Sequence, residues 1–331
     1  MKLLSFRMSS RLLATATALG ALSLGPAAQA QSSYPSKPIR LVVPFPPGGA
    51  VDMLGRLVGQ HIGQQMNQSV IVENRGGANG RIGDVYAAHA APDGYTLLFG
   101  ANGLATNPSL YPNDSFSEIK TLTPVAYLGS SPLIMVVPQD SPAKSLKDII
   151  DAAKADPSKI AFASAGNGSS AHLGSEMLKS VAKVSMLHVP YKGGAPAIID
   201  LTAGRVSFML LDPPQAMPQI RGNKLRPLVV GSNTRLPLLP DVPSAADAGY
   251  PDFEATVWWG FMAPKGTPPE IVDKLNSEIN TALRSPDVQK VLGDLGVITK
   301  PGTPAEFGQF IQSQYSKWNA LIKQAGITAE N

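Results

Sequence analysis

The sequence contains no cysteine. That absence removes disulfide scaffolds, cysteine-ligated zinc, iron–sulfur clusters, thiol nucleophiles and a lipidated cysteine anchor. Charge is scarce too, at 16% of residues against roughly 25% in an average soluble domain. A chain that is 44% hydrophobic can bury enough surface to offset its ordering entropy, which excludes intrinsic disorder. Aromatics stand at 6%, too few for extensive sugar-stacking surfaces. The histidines His61, His89, His172 and His188 show no His-Glu-x-x-His or other metal-ligand spacing, so no metal is expected. Neither a Gly-x-x-x-x-Gly-Lys-Ser/Thr phosphate loop nor a Gly-x-Ser-x-Gly elbow occurs. With 331 residues the chain suits two domains.

The formal net charge of +4 is concentrated at one end. Residues 1–30 hold Lys2, Arg7 and Arg11 and no acid, and without them 25 basic residues face 24 acidic ones. No basic patch remains to release counterions, so no nucleic-acid partner is expected. The same thirty residues read as an export signal. A positive start is followed by an Ala/Leu-rich stretch over 12–24, and Ala28-Gln29-Ala30 offers the small residues a signal peptidase reads, placing cleavage after Ala30. This thirteen-residue stretch makes a helix of about 20 Å, short of the ~30 Å hydrocarbon core, and Pro26 follows. A soluble, unanchored product in a Gram-negative periplasm is the expectation.

After residue 30 short apolar runs alternate with helical patterns. Ile39–Val43 reads as a strand, and Val51, Leu54, Val58, Ile62 and Met66 step by three or four as a helix face. Further strands are expected over 70–72, 95–99, 133–137, 160–165, 187–191, 207–211, 225–230 and 256–262. Ser145-Leu146-Lys147-Asp148 is a capping box. Thr267-Pro268-Pro269-Glu270 and Thr303-Pro304-Ala305-Glu306 each pair an N-cap Thr with proline and an N3 glutamate. Strand–helix alternation implies an α/β fold with mostly parallel sheet.

Two places share one local design, a strand entering a glycine-rich loop and then an amphipathic helix: residues 43–50 and 165–171. The first four N–H groups of a helix lack internal partners, and the aligned peptide dipoles place about half a positive charge there. Glycines let a ligand approach the backbone, so two such loops suit an anion held between two lobes without Arg or Lys. Gly166-x-Gly168-x-x-Ala171 also fits a loosened dinucleotide fingerprint, but the acid expected about 20 residues on is missing, and no cofactor is assigned. Asp52 falls in the first helical turn, where it steadies orphan N–H groups or, alternatively, meets an amino group or water on the ligand. His172 could donate to a ligand or fix its loop. Tyr191 and Lys192 end a strand; Lys192 is either a solvated charge or a cation facing a second carboxylate. Asp212 ends another strand before Pro213-Pro214.

At these residues the chain resembles the Bug-type (TctC-like) extracytoplasmic solute receptors of tripartite tricarboxylate transporters. The matching segments are Tyr34-Pro35-Ser36-Lys37-Pro38-Ile39, Pro44-Phe45-Pro46-Pro47-Gly48-Gly49 with Asp52, and Val72-Glu73-Asn74-Arg75. Ala91-Pro92-Asp93-Gly94-Tyr95-Thr96, Asn107-Pro108-Ser109-Leu110-Tyr111 and Gly166-Asn167-Gly168-Ser169 with His172 follow. His188-Val189-Pro190-Tyr191-Lys192-Gly193, Leu239-Pro240-Asp241-Val242-Pro243 and Ala263-Pro264-Lys265-Gly266 complete the set in one order along the chain.

The resemblance implies a type II periplasmic-binding-protein fold, with two α/β lobes and a ligand cleft between them. Lobe one would take residues 31–130 and 257–331, and lobe two residues 131–256. It further implies a monomer that captures a small organic carboxylate and delivers it to the membrane subunits of a transporter. Carried over, the ligand contacts would be Phe45, Gly48, Gly49 and Asp52 from one lobe. Gly166, Asn167, Gly168, Ser169 and His172 would come from the other, with Tyr191, Lys192 and Asp212 at the side. Val51 stands where many relatives carry Thr, and Gly100-Ala101-Asn102-Gly103-Leu104-Ala105 where they are Thr/Ser-rich, which favours an apolar or aromatic carboxylate. A sensory receptor using the same site, and a hydrolase built on Ser169 and His172, are the alternatives. No catalytic residue is assigned.

Overall fold

The computed structural model describes residues 34–114 and 116–329, and the expected export signal lies outside the described residues. In chain order the elements begin β1 (Ile39–Val43), α1 (Ala50–Gln65), β2 (Val70–Asn74), α2 (Arg81–Ala88), β3 (Thr96–Gly100), α3 (Gly103–Leu110), α4 (Glu118–Thr121) and β4 (Leu122–Pro132). Next come β5 (Ile134–Pro138), α5 (Leu146–Ala155), β6 (Ala161–Ser164), α6 (Ser170–Ala182), β7 (Leu187–Pro190), α7 (Gly194–Thr202), β8 (Phe208–Leu211), α8 (Pro213–Arg221) and β9 (Leu225–Val230). The chain closes with β10 (Thr256–Pro264), α9 (Pro269–Arg284), α10 (Pro286–Asp294), β11 (Ile298–Thr299) and α11 (Pro304–Ala325).

The strands form two sheets, one ordered β11-β4-β10-β3-β1-β2 and the other β7-β6-β8-β5-β9. The expected α/β class holds, but the sheets are mixed rather than mostly parallel. In the first, β1 runs parallel to β2 and β3, whereas β10 is antiparallel to β3 and β4. In the second, β6 runs parallel to β7 and β8, whereas β5 is antiparallel to β8 and β9. Helical crossovers give the parallel pairs. The antiparallel strands are those by which the chain changes sheet.

That change occurs at two adjacent points. β4 leaves the first sheet at Pro132 and β5 opens the second at Ile134, while the return run enters β10 at Thr256, opposite Pro132. Three backbone bonds tie the crossing together: Leu133 N–H to the Ala255 carbonyl at 2.9 Å, Ala255 N–H to Gly231 at 3.0 Å, and Gly231 N–H to Leu133 at 2.8 Å.

Burial explains the elements. Leu54, Val58 and Ile62 of α1 are all buried, as the three-and-four stepping requires. Trp258 and Trp259 are wholly buried in the central strand β10, and Trp258 packs with Leu98, Leu104, Met262 and Phe307. The capping boxes at Ser145 and Thr303 form as expected. Thr267 does not cap α9. Pro268 is extended (φ −53°, ψ 136°) and takes the N-cap position itself, and the Thr267 hydroxyl instead donates to the Pro264 carbonyl at 2.8 Å.

Asn102, 2% exposed, continues the sheet with its side chain. Its Nδ2 donates to the Thr256 carbonyl and its Oδ1 accepts from Trp258 N–H, both at 2.9 Å. An N102A substitution leaves both backbone groups without partners, at about 1–3 kcal/mol for each buried orphan. The expected result is a fall in unfolding free energy of about 2–6 kcal/mol with an unchanged m-value, measured by urea titration.

Candidate functional site

The first glycine-rich loop carries the chain from β1 into α1. Gly48 adopts a left-handed conformation (φ 82°) open mainly to glycine, and its N–H donates to Asp52 Oδ2 at 3.0 Å. Asp52 is buried, and its Oδ1 accepts from Arg56 Nε at 3.0 Å and from Asn74 Nδ2 at 2.9 Å. Asn74 also donates to the Phe45 carbonyl at 3.0 Å. Burial alone would raise the Asp52 pKa, but the bonds from Arg56, Gly48 and Asn74 and the Arg56 charge outweigh it and hold the carboxyl below its ordinary range. Asp52 therefore orders the loop and is itself neutralised. The helix begins at Ala50, and among the described residues the Ala50 and Val51 amides meet no protein acceptor.

The second loop, from β6 into α6, repeats this plan at the same spacing. Gly168 is left-handed (φ 72°), and its N–H donates to His172 Nδ1 at 3.1 Å, four residues on, as Gly48 does to Asp52. Ser169 caps α6, accepting the His172 N–H at 3.4 Å. Helix α6 begins two residues after its glycine, as α1 does, and the Ser170 and Ala171 amides meet no protein acceptor.

His172 lies flat on His188, with ring centroids 3.8 Å apart and an angle of 8°. His188 Nε2 is 2.6 Å from Ser164 Oγ, which also accepts the Gly166 N–H at 3.2 Å. The loop thus hangs from two stacked imidazoles. Burial, then the His188 and Lys179 charges, lowers the His172 pKa to about 3, keeping the ring neutral and Nδ1 able to accept.

The remaining expected residues fall around these loops. Phe45 is half-buried against Gly80, Gly49 half-buried at the start of α1, and Asn167 half-buried at the loop crest. The Tyr191 hydroxyl donates to Asp200 at 2.8 Å, while Lys192 is exposed. Asp212 caps α8 and accepts from Gln215 N–H at 3.0 Å and Nε2 at 2.6 Å; burial nonetheless pushes its pKa up to about 6. Its carboxylate is spent on α8.

The loops of the two sheets approach each other. Asn79 Nδ2 of the first sheet's side lies 3.1 Å from the Gly168 carbonyl, and Pro46 lies beside Gly193. Asn74, Asn79, Ser164 and His188 are the contributors that sequence reasoning did not assign; Asn74 and His188 fall within the matching segments. The Ser169–His172 pair of the hydrolase alternative is not assembled, since the Ser169 hydroxyl caps the helix and His172 Nδ1 holds Gly168. Among the described residues no group of three His, Cys, Asp or Glu could hold a metal, and no helix is long and apolar enough to cross a membrane. Grooves of about 650 and 540 Å³ lie along the outer edge of the first sheet, and no residue of either loop lines them.

Residues 54–327 match the tripartite tricarboxylate transporter family receptor, TctC. The chain belongs to this family. The receptor is 37% identical to protein BugT of Bordetella pertussis, over 89% of this chain and 91% of that one. Among solved structures it is similar to R. palustris Rpa4515 with adipate, with a TM-score of 0.86 and 33% identity over 90% of this chain and 100% of that one. It is also similar to MatC of Rhodopseudomonas palustris with bound malate, with a TM-score of 0.82 and 33% identity over 87% and 100%. The receptor has the periplasmic-binding-protein fold, and its family places it in the periplasm as a solute receptor and not an enzyme.

The neutral His172 makes the receptor's stability depend on pH in a defined direction. The unfolded chain takes up a proton near 6.5 while the folded site resists until about 3, so this group removes stability as pH falls through that window. In His172→Asn the Oδ1 atom replaces Nδ1 as the acceptor for Gly168 N–H. Its unfolding free energy should fall about 1–3 kcal/mol less than wild type between pH 7 and 4.5, measured by denaturant titration. Equal losses would show that His172 is not held neutral.

Proposed function

We propose that this receptor closes on one carboxylate group of a small organic acid, using amides from α1 and α6, and passes the acid to the membrane subunits of a tripartite transporter. The observation that carries this reading is the doubled loop. In each sheet a side chain four residues beyond a left-handed glycine accepts that glycine's N–H, leaving the next amides of the helix unpartnered. Unpartnered donors at a helix start are an anion site.

Neither loop brings a bare charge. Asp52 is neutralised by Arg56 and His172 is neutral, so the guest carboxylate would meet dipoles and N–H groups only. Each charge-assisted bond contributes about 1.5–3 kcal/mol net, so three or four support roughly micromolar binding after ordering costs. That strength suits a carrier that must also release its cargo. Binding of adipate and malate by similar proteins supports a carboxylate as the guest.

On this reading residues 31–130 and 257–331 form one lobe and residues 131–256 the other, hinged where the chain crosses twice. Phe45 and Gly49 would wall one side, Gly166 and Asn167 the other. Asp52, Ser169, His172 and Asp212 would act by holding backbone, with Tyr191 and Lys192 at the entrance. Residues 1–30 would be removed after Ala30, and the exported receptor would act as a monomer.

A thermal-shift panel of benzoate, adipate, malate and citrate tests the reading. The acid that binds should raise the melting temperature by about 4 °C at a hundredfold excess over its dissociation constant. With Val51 and residues 100–105 making the cleft less polar, benzoate or adipate should outrank citrate. A flat response across the panel counts against carboxylate capture.

A further inference from the structure

The turn between β2 and α2 carries an asparagine in an uncommon backbone position. Asn79 is left-handed (φ 52°, ψ 38°) and sits between Gly77 and Gly80, both also at positive φ. Asparagine is among the few residues with a side chain that visit this region readily. The conformation turns its amide toward the opposite sheet. Asn79 Nδ2 lies 3.1 Å from the Gly168 carbonyl and 3.1 Å from Asn107 Oδ1, with Thr106 Oγ1 at 3.3 Å.

Both ends of this contact are fixed. Asn107 is fully buried and donates back to the Asn79 carbonyl at 3.3 Å. Gly168 is held by His172 in the loop proposed to bind the carboxylate. A methyl group on Gly168 would overlap Leu110 of α3, so the two halves meet here without room for a side chain. The bond joins residues 89 positions apart in the chain.

We propose that Asn79 is an interlobe latch: its bond to the Gly168 carbonyl holds the receptor partly closed before cargo arrives, and so sets the affinity for the carboxylate. The proposal rests on the receptor reading above. A contact made in the closed state raises the fraction of molecules already competent to bind, and apparent affinity scales with that fraction. A neutral hydrogen bond of this kind changes that population about three- to tenfold. Asn79 touches the loop's carbonyl, leaving its free amides for the acid, so it is a positioning residue and not a ligand contact.

The test compares wild type with Asn79→Gly, which keeps the left-handed backbone and removes the donor, and Asn79→Asp, which turns a carboxylate toward the Gly168 carbonyl. Ligand-free protein is measured by small-angle scattering, and benzoate and adipate affinities by calorimetry. Both variants should show a larger ligand-free radius of gyration that returns to the wild-type value on saturation. Affinity should be about three- to tenfold weaker for Asn79→Gly and weaker still for Asn79→Asp. A ligand-free radius and affinity equal to wild type in both variants overturns the latch. If wild type binds none of the acids, the receptor reading fails, and an unchanged ligand-free radius then overturns the latch independently.

Discussion

Unsatisfied backbone N–H groups are costly inside a protein, and this chain keeps a pair at the start of each of two helices on different sheets. Everything else at the site serves to hold those donors in place. The glycine before each helix start has its N–H taken internally, by a carboxylate in one loop and a neutral imidazole in the other. The two acceptors differ in chemistry but do the same work at the same spacing. What remains unpaired is aimed outward by the helix itself, without arginine or lysine at the point of contact.

The supporting layer behind each loop differs. Behind the first stands a polar cluster in which Arg56 and Asn74 fix both the Asp52 carboxylate and the loop carbonyl. Behind the second stands a stack of His172, His188 and Phe162, anchored by Ser164. On the proposed reading a charged acceptor in the second loop would repel the carboxylate that the amides would attract, and a neutral ring avoids this. Lys192, which follows β7, is exposed.

Much of this was readable beforehand, because local chemistry governed it. The periodicity of α1, the two glycine-rich loops and the Ser145 and Thr303 caps all depend on residues within a few positions of one another. Long-range effects were hidden. β4 gives no periodic signal, since Thr123, Pro124, Gly129, Ser130 and Ser131 interrupt its apolar run, and pairing with β10 and β11 makes it a strand. The antiparallel members of both sheets follow from where the chain crosses, which no periodicity records. Asn79 was invisible for a related reason: its turn reads as a glycine-rich linker, and its partners lie at 106, 107 and 168. The sequence positions of Asp52 and His172 place them in the first helical turn, but their bonds to a glycine four residues back depend on how each loop folds.

The most direct measurement is an amide chemical-shift titration of isotope-labelled protein with adipate and benzoate. Ala50 and Val51 should shift together with Ser170 and Ala171, moving downfield along one isotherm with a single dissociation constant. Shifts confined to one helix start, or to residues outside both loops, would contradict the claim that the two sheets share one carboxylate.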